Sequence, residues 1–327
     1  MHMSSGWVRH IMVNMPENGK GYFMAHPENF EPFIIRIKDS NPNLAIERAR
    51  YNPDALANDV IVINDDLVFR FPKDEAGRAN LANEVKLLGI VRAHVSLPVP
   101  VLEQVEPDFI MYRWLPGEPL YRHRLLLLER KAQRKLAEQL AHFLTELHSI
   151  PYAVMLAAGL GERPNWDRNA RWRKRYSEIL HELYPLMWAD QKAWVDHLFS
   201  PVLDGSLNLA AFEPAVIHND LGSYHILFDP ERNELSGILD FGLTGLGDPA
   251  SDYAALISCY GESFLSQMAP FDPGIHAALE RARFMAGAIE FDWVLPDFRA
   301  FDPGWFLVHL GRARDLRPFG TSLAETD

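Results

Sequence analysis

The sequence predicts an α+β protein in which a small β-rich part is followed by a larger, mostly helical one. Three observations carry this. Branched and aromatic runs broken by turn signals fill residues 59–112. From Leu125 onward, apolar residues recur at the helical period. Among those helices one β-rich segment, residues 216–239, interrupts the pattern and leads into an acidic residue, Asp240.

The elements follow in order. Residues up to about 30 scatter Gly, Asn and Pro among aromatics with no clear period. Val60-Ile61-Val62-Ile63, the turn signal Asn64-Asp65-Asp66 and Leu67-Val68-Phe69-Arg70-Phe71 predict a hairpin. Pro72 ends its second strand, because proline has no N–H for the ladder. Residues 74–90 predict a helix with Leu81, Val85 and Leu88 on one face, and residues 99–105 and 109–112 predict two more strands. Pro116-Gly117 then breaks the chain. Leu136, Leu140, Phe143, Leu144 and Leu147 mark an amphipathic helix with Pro151 just past its end. Further helices are expected over 166–183, 191–199, 250–260, 275–291 and 305–316.

Composition narrows the function. With 327 residues and 48% hydrophobic content, the chain can bury a sizeable core. Its formal net charge of -12 excludes the basic footprint of sequence-independent nucleic-acid binding. It suits cationic small molecules, and equally it keeps a protein in solution. The single cysteine, Cys259, can form neither an internal disulfide nor a cysteine zinc site, and its apolar neighbours predict a small buried hydrophobe. No apolar run approaches the length of a membrane span and no leader pattern is present, so a cytoplasmic location is expected.

Residues 216–242 carry the chemistry. A polar loop, His218-Asn219-Asp220-Leu221-Gly222-Ser223-Tyr224-His225, lies between two apolar β runs. A turn, Pro230-Glu231-Arg232-Asn233, leads to a third run ending at Asp240-Phe241-Gly242. The expectation is that this arrangement brings Asp220 and Asp240 to one edge of the same small sheet. Phosphoryl transfer needs little covalent chemistry from a protein. It needs an oriented hydroxyl, a place for its proton, and cations on the phosphate oxygens. One carboxylate can take the proton while the other holds a hard, oxygen-preferring cation.

His218-x-Asp220-Leu221, then a polar residue at 225, then Asp240-Phe241-Gly242, resembles the catalytic and metal loops of the protein-kinase-like fold. The continuation Gly247-Asp248-Pro249-Ala250-Ser251-Asp252-Tyr253-Ala254 resembles the aminoglycoside and macrolide phosphotransferases. Leu67–Pro72, Glu84, Leu115-Pro116-Gly117-Glu118-Pro119-Leu120 and Leu147-His148-Ser149-Ile150-Pro151 fit the same family in the same order. The resemblance implies a two-lobe fold: an unassigned extension over 1–30, a nucleotide-binding lobe over 31–113 and a helical lobe over 114–327.

It also implies roles. Asp220 would orient the acceptor hydroxyl and take its proton, and Asp240 would bind Mg2+ at the phosphates. His225 stands where asparagine is commonest, as in the branch holding aminoglycoside 2″-phosphotransferases and macrolide phosphotransferases; it would either contact the metal or brace the loop. His218 and Asp248 would be structural. Arg70 stands at the usual phosphate-binding lysine, with Glu84 as its ion-pair partner and Lys73 as the fallback. Met111, Tyr112 and Trp114 would lie near the purine. The donor would be ATP or GTP, and the acceptor an antibiotic of the aminoglycoside or macrolide type. A metabolic small-molecule kinase and a nucleotide-binding pseudokinase are the alternatives.

Two further features are open on sequence. Glu262, Glu290, Asp292 and Trp293 could meet the acceptor, acids suiting a polycation and aromatics a macrolide, or they could be core and surface. The basic run Arg168, Arg171, Arg173, Lys174, Arg175 reads as a solvated helix face rather than a phosphate or nucleic-acid patch. Partners beyond a small-molecule acceptor are not implied, and oligomeric state is not encoded legibly.

Overall fold

The computed structural model describes residues 30–52, 57–160, 168–292, 295 and 319–322. These fall into two compact units divided after Ala45. The first contains helix α1 (Glu31–Ser40), started by proline in its first turn. The second contains every feature described below.

Its first part is an antiparallel sheet of β1 (Ala49–Asn52), β2 (Asn58–Ile63), β3 (Leu67–Pro72), β4 (Leu102–Val105) and β5 (Ile110–Arg113), in the order β1-β2-β3-β5-β4. The expected hairpin is β2–β3, with Ile63 opposite Leu67. Asn64 and Asp65 both take positive φ, 54° and 57°, as mirror-image hairpin turns demand. Helix α2 (Glu75–Arg92) follows, capped by Asp74, whose carboxylate accepts the Gly77 N–H at 2.7 Å. Strand parity then sorts the side chains. Val60, Val68, Ile110 and Tyr112 pack with Leu81 of α2 on one face. Phe69, Phe71 and Phe109 bring their rings together on the other, with centroids 5.6 and 5.1 Å apart. Arg70 shares the α2 face with Val68.

The chain leaves this sheet through Pro116-Gly117. Gly117 has φ 116°, and a Cβ there would sit 2.2 Å from the Ser236 hydroxyl, so the crossing needs glycine. Short strand β6 (Glu118–Pro119) leads to α3 (Arg122–Leu127) and α4 (Arg130–His148). In α4 the five residues that set the period are all fully buried. Each such side chain contributes about 1.5–3 kcal/mol of burial. Then come α5 (Tyr152–Ala157), α6 (Arg168–Glu182) and α7 (Ala189–Leu203).

Three short strands follow: β7 (Ala215–Ile217), β8 (Ile226–Asp229) and β9 (Glu234–Ile238). Here the sequence expectation needs correction. Asp220 and Asp240 do not leave one sheet edge. β8 and β9 form a hairpin whose other neighbour is β6, whereas β7 pairs with β10 (Gly245–Gly247). Asn219, at φ 64°, turns the chain between β7 and β8, so the two carboxylates meet from two separate sheets. Helices α8 (Ala250–Tyr260), α9 (Glu262–Met268) and α10 (Gly274–Ala288) complete the part. The expected helix over 305–316 lies outside the described residues. Among the described residues no helix is long and apolar enough to cross a membrane.

The basic run on α6 is largely the solvated face expected, with Arg171, Arg173 and Lys174 exposed, and its arginines also find partners within the fold. Arg171 and Arg175 both bind Asp292, Arg173 donates to the Leu203 carbonyl, and Arg168 reaches Asp248. Its arginines tie α6 to neighbouring elements.

Candidate active site

The loop from His218 to His225 is held by side chains from two helices. The carboxylate of Asp252, fully buried on α8, accepts the backbone N–H of His218 at 3.0 Å and that of Asn219 at 2.8 Å. His148, the last residue of α4, reaches the same carboxylate through Nε2 at 3.0 Å. One buried acid therefore satisfies the orphan donors of a strained turn. His218 completes the brace. Its Nε2 donates to the Leu239 carbonyl and its Nδ1 accepts the Asp220 N–H, a pairing open only to the neutral ring. Burial lowers its pKa to about 4, against a weaker upward pull from Asp252.

That depression has a pH consequence. Above pH 6.5 the ring is neutral folded or unfolded. Between pH 6.5 and about 4 only the unfolded chain takes up the proton, so stability falls as pH falls through this window. The loss from His218 is expected to be about 3 kcal/mol. Urea unfolding across the window checks it: His218→Gln should show a shallower pH slope than wild type.

His225 sits between the two site carboxylates. Its Nδ1 lies 2.8 Å from the Asp220 backbone carbonyl, which can only accept, so Nδ1 carries the proton. In the neutral ring Nε2 then offers a lone pair, and it points at Asp240 Oδ2, 3.6 Å away. Bracing the loop and presenting a ligand atom were alternatives on sequence; one ring has the geometry for both. Asp240 adopts φ 62° and accepts the Gly242 N–H.

Arg70 closes the site from the small sheet. Nη1 binds both oxygens of Glu84 at 2.9 and 2.8 Å, and Nη2 binds Asp240 Oδ2 at 3.1 Å. Lys73 lies on the opposite sheet face, 3.9 Å from Asp59. Strand parity thus puts Arg70, not Lys73, at the carboxylates. Glu84 also accepts the Phe241 N–H, and Asn83 on the same helix donates to the carbonyls of Gly242 and Thr244. α2 is therefore bonded directly to the loop that carries Asp240.

The electrostatics separate the two acids. Burial raises Asp220, with Asp240 adding to the rise. Burial would also raise Asp240, but Arg70, with help from the Gly242 N–H, outweighs it and holds that carboxyl below its usual range. Two acids with environments pushed apart have different work available. Burial alone would lower the Arg70 pKa; Glu84 and then Asp240 outweigh it and hold the guanidinium above its usual range.

Around the hinge, Trp114 lines a cavity of about 280 Å³ with Arg50, Tyr51, Asn52 and Val62. Met111 and Tyr112 do not line it. They are buried within the sheet, and Tyr112 lies on the Arg70 face, its phenol raised by burial to about 12. Sequence reasoning missed Arg50 and Tyr51, because β1 carries no apolar alternation.

The acceptor candidates fare differently. Glu262 needs correction: it is fully buried and clamped by Arg283, itself fully buried, so its charge is spent inside the fold. Asp292 is likewise neutralised by Arg171 and Arg175. Glu290 lies half-buried beyond the end of α10, and Trp293 lies outside the described residues. Asp248 accepts Arg281 through both oxygens and the Ala250 N–H, a structural post at the start of α8. Cys259, half-buried, accepts the Ser223 N–H at 3.2 Å, a loop contact no sequence signal announced.

Comparison with known proteins identifies the family and the fold. The profile described as the phosphotransferase enzyme family matches residues 49–315. Viomycin phosphotransferase of Streptomyces vinaceus is 27% identical over 218 residues, covering 64% of this chain and 72% of that protein. The GDP complex of aminoglycoside 2'-phosphotransferase-IIIa superposes with a TM-score of 0.77 at 23% identity, over 88% of this chain and 98% of that one. A macrolide 2'-phosphotransferase type I gives 0.65 at 16% identity, over 88% and 96%. At these identities the structural likeness establishes the fold, a two-lobe kinase-like arrangement of a small β-rich lobe and a larger helical one.

Proposed function

The chain belongs to the phosphotransferase enzyme family, and from that premise we propose that it moves the γ-phosphoryl group of ATP or GTP to a hydroxyl of an aminoglycoside-, macrolide- or viomycin-type antibiotic. The observation that carries the reading is the junction of Arg70, Glu84, Asp240, His225 and Asp220, drawn from two lobes to within ion-pair reach of one another. A pseudokinase has no need to hold two carboxylates in opposed electrostatic states. The acceptor class is taken from the relatives, which are viomycin, aminoglycoside and macrolide phosphotransferases. A cytoplasmic location fits a nucleotide-consuming enzyme.

Each residue then has a task. Asp220 accepts the acceptor O–H, fixes its oxygen toward the phosphorus, and takes the proton as the bond forms. Arg70 stays charged, is fixed by Glu84, and places its positive charge beside Asp240, where the phosphates would come. Asp240 and His225 Nε2 would hold magnesium. Among the described residues no three His, Cys, Asp or Glu side chains cluster as a closed metal cage. Magnesium fits such an open donor pair, because it keeps several waters and shares phosphate oxygens. When bound, the ion would neutralise charge on the phosphates. The purine would sit in the cavity beside Trp114 and Val62.

Imidazole is a softer donor than the carboxamide usual at this place. Turnover is therefore expected to respond more to manganese than it does in His225→Asn. That variant should raise the magnesium-to-manganese ratio of kcat several-fold. Steady-state rates in each metal check this, and an unchanged ratio would remove His225 from the metal. Calorimetry with ADP and GDP in magnesium tests the donor reading, since at least one should bind.

A further inference from the structure

One polar side chain in the catalytic loop has no task in the account above. Tyr224 is half exposed, yet its hydroxyl lies 3.4 Å from Asp220 Oδ1. Its ring stands edge-on to His225, with centroids 4.4 Å apart and planes at 77°. It lies directly across Gly222, where a Cβ would come within 2.5 Å of the ring. The neighbouring backbone is anchored, since the Ser223 N–H is held by Cys259 and the His225 N–H by the Gly222 carbonyl. The loop is thus fixed while the phenol rests on it from the solvent side.

The chemistry of that contact is specific. The phenol gives Asp220 an O–H donor, the same group that an acceptor alcohol would bring to the same carboxylate. The other carboxylate oxygen, Oδ2, faces His225 Nδ1 at 3.8 Å.

We propose that Tyr224 holds the acceptor's place: its hydroxyl occupies Asp220 Oδ1 until an incoming alcohol displaces it, and so denies that oxygen to water. The ring swings outward rather than the loop refolding, because glycine at 222 leaves it nothing to climb over. Tyr224 is therefore a positioning residue that favours transfer over futile nucleotide hydrolysis. The inference rests on the reading of Asp220 as the group that accepts the acceptor's proton.

The test is phosphate release from magnesium-ATP and magnesium-GTP by the full chain without acceptor. It compares wild type, Tyr224→Phe and Gly222→Ala, each also with Asp220→Asn. Tyr224→Phe removes the hydroxyl, whereas Gly222→Ala evicts the ring and leaves the hydroxyl intact. Melting temperature and nucleotide binding establish that each variant is folded. Hydrolysis should rise about fivefold or more in both variants and disappear in the Asp220→Asn background. No rise in either folded variant overturns the proposal, and so does a rise that survives Asp220→Asn. Failure of the underlying phosphotransfer reading looks different: wild type would then transfer to no acceptor, with kanamycin, viomycin and erythromycin as probes.

Discussion

Replacing Asp220 by asparagine is expected to lower kcat for transfer by about 10²- to 10⁴-fold while nucleotide affinity stays within a few-fold. The residue's two roles, in the loop's course and in the chemistry, are separable. The loop is held through backbone groups of Asp220: its carbonyl accepts His225 Nδ1 and the Gly222 N–H, and its N–H reaches His218. None of these depends on the carboxylate. Asparagine has the same shape, so the loop should keep its course while losing the proton acceptor. Arg70 and Asp240, the groups assigned to the phosphates, are untouched. Quenched-flow transfer rates together with nucleotide calorimetry check the two halves independently. A variant that still transfers at more than a tenth of the wild-type rate would remove Asp220 from the chemistry.

The second large effect is on stability. Arg70→Met is expected to cost about 3–5 kcal/mol, because it leaves Glu84 buried without its counter-charge. Glu84 is fully buried and would keep only the Phe241 N–H among the bonds described. Burial already raises its pKa, with Arg70 opposing. The variant should therefore recover stability as pH falls and Glu84 takes up a proton. Arg70→Lys should recover only part of the loss at neutral pH, since an ammonium cannot present one fork to Glu84 and another N–H to Asp240. Urea unfolding of the three proteins checks this. A loss below about 1 kcal/mol in Arg70→Met would mean the pair behaves like a surface ion pair.

Much of this site was legible before the structure, for physical reasons that differ by residue. Arg70 was separable from Lys73 because strand parity is a covalent consequence of the pleat. The β2–β3 hairpin and α4 were legible because their periods are strong and their turn residues specific. Strand β1 was not, since its side chains alternate between half-buried and exposed with no apolar signature. The strand expected over 99–105 shrank to Leu102–Val105, as Pro98 and Pro100 deny its start a ladder. Asp220 and Asp240 could be named from motifs, but their meeting from two sheets depends on β7 choosing β10, a pairing local sequence does not announce. Glu262 misled because an acid on a late helix reads the same whether it faces solvent or a buried arginine. Asn83 and Tyr224 were invisible because their importance lies in what they touch.

The most direct measurement of the central claim is transfer itself. The full chain would be incubated with magnesium and γ-labelled ATP or GTP, together with viomycin, kanamycin and erythromycin. Products would be read by radiolabel and by mass. One added phosphoryl group on a hydroxyl of at least one of these, dependent on Asp220, is the expected result. Bound nucleotide with no label reaching any antibiotic would contradict the assignment of the acceptor.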